Sequence, residues 1–162
     1  MPGGRVRDRL RDLRLQGRAR SARITEKDRD IFARTLWGEA RGESLAGLQA
    51  CAWTIRNRVN DGRAKSWWGE GYAGVCQKPY QFRCWNKTDP NFPYLSGVKP
   101  IPFRELAQVR IAADQVIDGK VPDPTGGATH YYAVAMKTPP TWAAKANQTL
   151  GLGGHVFFKD VP

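Results

Sequence analysis

The sequence predicts an α+β fold in which helices come first and a small sheet follows, closed by the C-terminus. Three observations lead there. Apolar residues recur at helical spacing over residues 26–59 and again over 103–117. Two short runs near the C-terminus, residues 128–135 and 154–158, are rich in aromatic and β-branched side chains. Glycines and prolines stand where each periodic segment should stop. With 162 residues and 41% hydrophobic content, the chain is long enough for one domain with a buried core.

Thr25 to Asp28 reads Thr-Glu-Lys-Asp, a capping box in which hydroxyl and carboxylate each accept a backbone N–H of the other residue. It predicts a helix over 26–40 that buries Ile31, Phe32, Thr35, Leu36 and Trp37, with Gly42 as its stop. Ser44 caps a second helix whose Leu45, Leu48, Ala52, Ile55 and Val59 face a core and which ends at Asn60-Asp61-Gly62. The short link makes the pair an αα-hairpin or corner. Residues 62–101 read as irregular. They hold Trp67, Trp68, Tyr72, Tyr80, Phe82, Trp85, Phe92 and Tyr94, which could form either a second core or a binding wall.

A third helix is predicted over 103–117, with Leu106, Val109, Ala113 and Val116 or Ile117 inward, Gly119 at its end, and Pro122 and Pro124 preventing continuation. A strand over 128–135 follows, then a turn-rich stretch through Pro139-Pro140 and Trp142, then a last strand over 154–158. There is no internal repeat.

Net charge is +11, and its distribution is uneven. Residues 1–24 carry eight arginines against Asp8 and Asp12, a net of six of the eleven charges. The chain therefore divides into a basic N-terminal arm, 1–24, and a body, 25–162, that is only mildly basic. The body is accordingly not expected to bind nucleic acid. Val6, Leu10 and Leu13 of the arm fall on one helical face among arginines, which suits an anionic membrane or lipopolysaccharide surface. The bland alternative is a solvated tail. No apolar h-region follows the basic start, so synthesis and retention in a cytoplasm are expected, with action elsewhere only after release.

Of the three cysteines, Cys51 lies on an apolar helical face. Cys76 and Cys84 flank one short segment and could pair in an oxidising compartment, but free thiols are expected in a cytoplasm. With His130 and His155 they could be gathered into a zinc site on paper, but no pair has a recognised ligand spacing, and no metal or other cofactor is expected.

The most informative segment is Leu36-Trp37-Gly38-Glu39-Ala40-Arg41-Gly42-Glu43. Glu39 stands in the last turn of an apolar helix beside Trp37. Desolvation and the negative helix end both raise a carboxyl pKa there, as a general acid working near neutrality requires. The bland reading is a surface charge. Glu43, a helical turn on, could be a second carboxylate. Otherwise it is a partner of Arg41 or of backbone in the next helix.

These residues resemble the SleB-like, spore-cortex-lytic type of cell wall hydrolase family. The likeness rests on Ala33-Arg34, on Trp37 to Glu43, and on Gly47, Gln49, Ala50, Ala52 and Asn57-Arg58-Val59. It continues in order through Val75-Cys76, Gln81-Phe82, Gly127-Ala128-Thr129-His130-Tyr131-Tyr132, Trp142 and Gly154-His155-Val156-Phe157-Phe158. It covers about residues 26–160.

The resemblance implies a lysozyme-like fold, with a helical lobe and a small β lobe around a cleft. It implies Glu39 as catalytic acid on the β-1,4 bond between N-acetylmuramic acid and N-acetylglucosamine. Trp37, Glu43, Gln81, Phe82, Tyr131, Tyr132 and His155 become the expected substrate-binding positions. Gln81 would bond N-acetyl groups and Phe82 pack on a ring, the alternatives being a satisfied turn residue and a core ring. Tyr131 and Tyr132 alternate on a strand, so one of them should face the cleft. His155 is otherwise a structural histidine.

A single glutamate with no obvious catalytic partner favours a lytic transglycosylase over the two-carboxylate hydrolytic scheme. The alternatives are a zinc amidase, for which two histidines are few, and a non-catalytic wall-binding module. The small basic chain resembles a phage or prophage endolysin, a monomer made in the host cytoplasm and acting on peptidoglycan strands in the periplasm or wall.

Overall fold

The computed structural model describes residues 24–61 and 67–162. Residues 1–23 of the basic arm, and the amphipathic helix expected there, lie outside those residues, while Ile24 packs against the core.

Helix α1 spans Glu26–Ala40. Thr25 Oγ1 accepts the Asp28 N–H, and the Asp28 carboxylate accepts the Thr25 N–H at 2.9 Å, so the capping box is formed. Helix α2 spans Leu45–Val59, with the Ser44 hydroxyl accepting the Gly47 N–H. Between them Gly42 sits at φ +90°, a conformation that residues with a Cβ rarely adopt. Ile31, Phe32, Leu36, Leu48, Cys51, Ala52 and Ile55 bury the facing stripes of the two helices. Leu45, expected inward, is 47% exposed because the first turn of α2 runs past the edge of the core.

The stretch read as irregular contains short helical pieces: α3 over Gly71–Gln77, a 3-10 turn over Arg83–Trp85, and α4 over Phe92–Leu95. Their aromatics divide. Trp68, Tyr72 and Phe82 are buried, while Trp67 and Tyr80 are exposed. The 3-10 turn is pinned to α1 by the indole of Trp85, which donates to Thr35 Oγ1 at 2.9 Å, while the same hydroxyl donates to the Ile31 carbonyl.

Helix α5 spans Phe103–Ile117 and buries Val109, Ala112, Ala113, Val116 and Ile117. Ion pairs clasp its far end to the start of α1: Arg29 with Asp114 at 2.8 Å and Asp118 at 2.6 Å, and Arg110 with Glu26 at 2.6 Å. Among the described residues no helix is long and apolar enough to cross a membrane.

A three-stranded antiparallel sheet completes the body. Strand β1 spans His130–Ala133, β2 Asn147–Leu152 and β3 His155–Lys159, in the order β1-β3-β2. Two expectations are corrected here. The last strand is central rather than closing the sheet. The turn-rich stretch before it includes an edge strand, β2, whose bulge at Gln148/Leu150 breaks the alternation that marks strands in sequence. The sheet is tied to α2 by Asn57 Nδ2 donating to the Ala128 carbonyl at 2.9 Å and Arg58 Nε to the Thr129 carbonyl at 2.7 Å.

Candidate functional site

Glu39 occupies the last turn of α1, where that helix meets the sheet and the 3-10 turn. The Tyr131 hydroxyl of β1 donates to its Oε2 at 3.3 Å. The Cys84 thiol donates to its Oε1 at 3.6 Å. Cys84 comes this close because position 38 is glycine. A Cβ there would stand 2.6 Å from Cys84 Cβ.

Burial pushes the Glu39 carboxyl above the ordinary carboxylate range, and Asp89 pushes the same way, while the donated bonds and the charge of Arg58 pull against them. Upward is the direction that keeps a proton available near neutrality.

Arg58 is the cation of this site. It is 8% exposed, with its guanidinium 4.7 Å from the Trp68 ring centroid and 5.3 Å from that of Phe82. Burial lowers its pKa to about 10, which leaves it charged at neutral pH.

The predicted site residues separate into those the fold brings to Glu39 and those it places elsewhere. Tyr131 and Tyr132 point to opposite faces of β1. Tyr131 meets Glu39, while Tyr132 stacks on Phe158 at 5.5 Å and meets the edge of Trp142. Behind Tyr131 stands His155, edge-on at 5.1 Å, and Glu43 Oε1 lies 3.3 Å from His155 Nδ1. Burial lowers the His155 pKa and Glu43 opposes the shift without reversing it.

The Glu43 carboxylate also accepts the Gly154 N–H at 3.1 Å. Its partners are thus in the β2–β3 hairpin, not Arg41 or backbone of the next helix. Arg41 instead stacks over Trp37 at 4.2 Å and donates to Asn91.

Trp37, expected at the substrate, is 4% exposed and packed on Tyr94, so its ring belongs to the core. Phe82 is 5% exposed for the same reason: a large apolar ring gains more from burial than from a wet rim. The Gln81 amide donates to the carbonyls of Trp68 and Val75, which is the satisfied-turn alternative.

Cys84, Arg58 and Asp89 are the neighbours of Glu39 that sequence reasoning missed. Arg58 stood within the Asn-Arg-Val block of the resemblance, but nothing local marked the other two. All three cysteines are free thiols. Among the described residues no three His, Cys, Asp or Glu side chains gather as a metal site. His130 packs instead between Trp68 and Trp142, where burial brings its pKa down to about 4.

Comparison with known proteins agrees with this architecture. A model of the cell wall hydrolase family matches residues 42–158, a segment that begins just past Glu39. Over 147 residues the chain is 28% identical to the spore cortex-lytic enzyme of Halalkalibacterium halodurans, covering 84% of this chain and 36% of that protein. The chain thus spans little more than a third of that relative's length. The α+β arrangement is the fold of the catalytic domain of the Bacillus cereus SleB protein, with a TM-score of 0.62 and 26% identity over 83% of this chain and 91% of that one. The catalytic domain of the Bacillus anthracis germination-specific lytic transglycosylase SleB superposes equally well, with 26% identity and 96% of that chain covered.

Proposed function

The chain belongs to the cell wall hydrolase family, and on that premise we propose that it is a peptidoglycan glycosidase, cleaving the β-1,4 bond between N-acetylmuramic acid and N-acetylglucosamine with Glu39 as the acid. One observation carries the reading: a desolvated carboxyl at a helix end, both of whose oxygens face protein donors while burial holds its pKa high.

The finer reading is a lytic transglycosylase. Glu39 gives its proton to the bridging oxygen as the C1–O bond breaks, and N-acetylglucosamine leaves as the alcohol. The resulting carboxylate then takes the proton of the muramyl C6 hydroxyl as that oxygen bonds to C1. This closes a 1,6-anhydro ring, consumes no water and returns Glu39 to its starting state. The positive charge of Arg58 favours the transient carboxylate. Two points support this over hydrolysis. The Bacillus anthracis relative is described as a lytic transglycosylase, and Glu43 is engaged by the hairpin rather than free to activate water.

Muropeptide mass spectrometry tests the reading. Digested peptidoglycan should end in 1,6-anhydromuramic acid, lighter by one water than hydrolytic products. Reducing muramic acid ends would make the enzyme a muramidase, and Asp89, the carboxylate whose charge reaches Glu39, would be the partner to replace. Released peptide stems with intact glycan, or activity abolished by EDTA and restored by zinc, would make it an amidase.

The biological reading is a phage or prophage endolysin, a monomer made in a host cytoplasm and acting in the periplasm or wall after release. The arginine-rich arm supports it, because its charge suits anionic lipid or lipopolysaccharide. Deleting residues 1–24 should leave cleavage of purified peptidoglycan nearly intact. It should weaken sedimentation with anionic vesicles, a binding that fades as salt screens the charges. Equal vesicle binding by both proteins would remove the arm from this role, and a melting temperature lowered by more than the loss of Ile24 from the core explains would mean that the arm docks on the body.

A further inference from the structure

Glu43 is held in a way that a surface carboxylate or a substrate ligand does not require. Gly47, Gly153 and Gly154 all face it. An added Cβ would stand 3.1 Å from Glu43 at Gly47, 2.3 Å from its Oε2 at Gly153, and 2.7 Å from its Oε1 at Gly154. Gly153 also takes φ +57°, which favours glycine independently of space. The β2–β3 turn is therefore shaped to seat a carboxylate against backbone, and the Gly154 N–H donates into that seat at 3.1 Å.

The next residue, His155, is 8% exposed, and its Nδ1 lies 3.3 Å from Glu43 Oε1, in contact with the carboxylate though without the geometry of a hydrogen bond. The imidazole in turn meets the Tyr131 ring edge-on at 5.1 Å, and Phe157 packs against both rings, 5.8 Å from Tyr131 and 6.4 Å from His155. Tyr131 ends on Glu39 Oε2. The contacts run without a gap from the α1–α2 turn, through the hairpin and β1, and back to the end of α1.

We infer that Glu43 and His155 are positioning residues: seated in the glycine turn, the Glu43 carboxylate fixes His155, and His155 holds the Tyr131 hydroxyl on Glu39. This role needs no contact between either residue and the glycan. The arrangement rests on Glu39 being the acid, since only then does aiming Tyr131 alter turnover. Its effect belongs in kcat, because a misplaced catalytic contact costs far more rate than affinity.

The experiment compares Glu43→Ala, Glu43→Gln, Tyr131→Phe and the double variant Glu43→Ala/Tyr131→Phe on soluble glycan strands. It also follows the Glu39 carboxyl by carbon-13 NMR titration. Glu43→Ala should lower kcat by about tenfold to a hundredfold, with KM nearly unchanged. Glu43→Gln should recover much of this, since its amide oxygen still accepts the Gly154 N–H.

Tyr131 and Cys84 donate to Glu39, and the charges of Arg58 and Asp89 reach it. Loosening Tyr131 removes a donor to the carboxylate, so the Glu39 titration should move upward in Glu43→Ala and in Tyr131→Phe. The double variant should be no worse than Tyr131→Phe alone, as expected of residues acting in series. Losses that multiply, or a Glu43→Ala defect confined to KM, would overturn the inference. So would an unmoved Glu39 titration. If Glu43→Ala does not fold, Glu43→Gln and His155→Asn carry the same comparison. An upward titration with unchanged turnover would leave the brace standing and remove Glu39 as the acid.

Discussion

Replacing Glu39 by glutamine is expected to lower turnover on purified peptidoglycan by about a hundredfold or more, the usual worth of a positioned general acid, while leaving the fold as firm or firmer. The amide fills the same space and can still accept the Tyr131 hydroxyl, but it has no proton to give a leaving oxygen. The stability sign follows from the direction of the pKa shift. Burial first, and Asp89 with it, raises the Glu39 carboxyl above its ordinary value. A carboxyl raised in the folded state adds stability below its unfolded pKa and loses that contribution as pH rises through the folded pKa.

Above its folded pKa an ionised Glu39 is therefore a net burden on the fold, and the neutral amide relieves it. Glu39→Gln should melt at or above the parent where Glu39 is ionised, with the advantage shrinking as pH falls and Glu39 takes up its proton. The same shift sets the alkaline limb of activity in the parent, because turnover falls as Glu39 loses its proton. Turnover and melting temperature, measured together across the pH range, check both halves. A fully active Glu39→Gln protein would remove Glu39 from the mechanism. An inactive one that melts well below the parent would make the loss a folding effect.

The helices were legible because their signals are local. The capping box at Thr25 and Asp28, the apolar stripe and Gly42 mark both ends of α1 within a single stretch of chain, and the structure runs it over Glu26–Ala40 as read. Strand β2 was not legible. Asn147-Gln148-Thr149 is polar, the alternation slips at Gln148/Leu150, and only pairing with β3 makes the segment a strand. The site divides in the same way. Glu39 could be singled out from its place at an apolar helix end, but its donors Cys84 and Tyr131 lie 45 and 92 residues away, so the cluster is a tertiary fact. Trp37 and Phe82 show the limit of residue type as a guide. An aromatic ring suits a sugar face and a core equally well, and burial decides between them.

Gly38→Ala is expected to damage both stability and turnover, against the sign that helix propensity alone would give. Alanine is favoured over glycine inside a helix by about 1 kcal/mol. Here the added Cβ would stand 2.6 Å from Cys84 Cβ, 2.9 Å from its Sγ and 3.4 Å from Leu95 Cδ2. The nearest of these atoms is the first of its side chain and cannot swing aside by rotation. Its backbone is held in turn, because Trp85 anchors the 3-10 turn to Thr35 on the same helix. Overpacking of this kind costs about 1–3 kcal/mol, enough to outweigh the propensity gain.

The strain is relieved by moving the 3-10 turn away from α1, which draws the Cys84 thiol off Glu39 Oε1. One of the donors that hold the carboxylate in place is then lost, and a drop in turnover of about tenfold or more follows from the misplacement. Loss of the thiol also moves the alkaline limb of activity upward, since its bond lowers the Glu39 pKa. Cys84→Gly removes the clashing Cβ at the cost of a buried side chain. The two substitutions should therefore be non-additive, with Gly38→Ala/Cys84→Gly more stable than the sum of the single losses predicts. Urea unfolding of the four proteins measures that coupling. Additive losses, or a Gly38→Ala protein as stable and active as the parent, would mean that the close approach of α1 and the 3-10 turn does not set the position of Glu39.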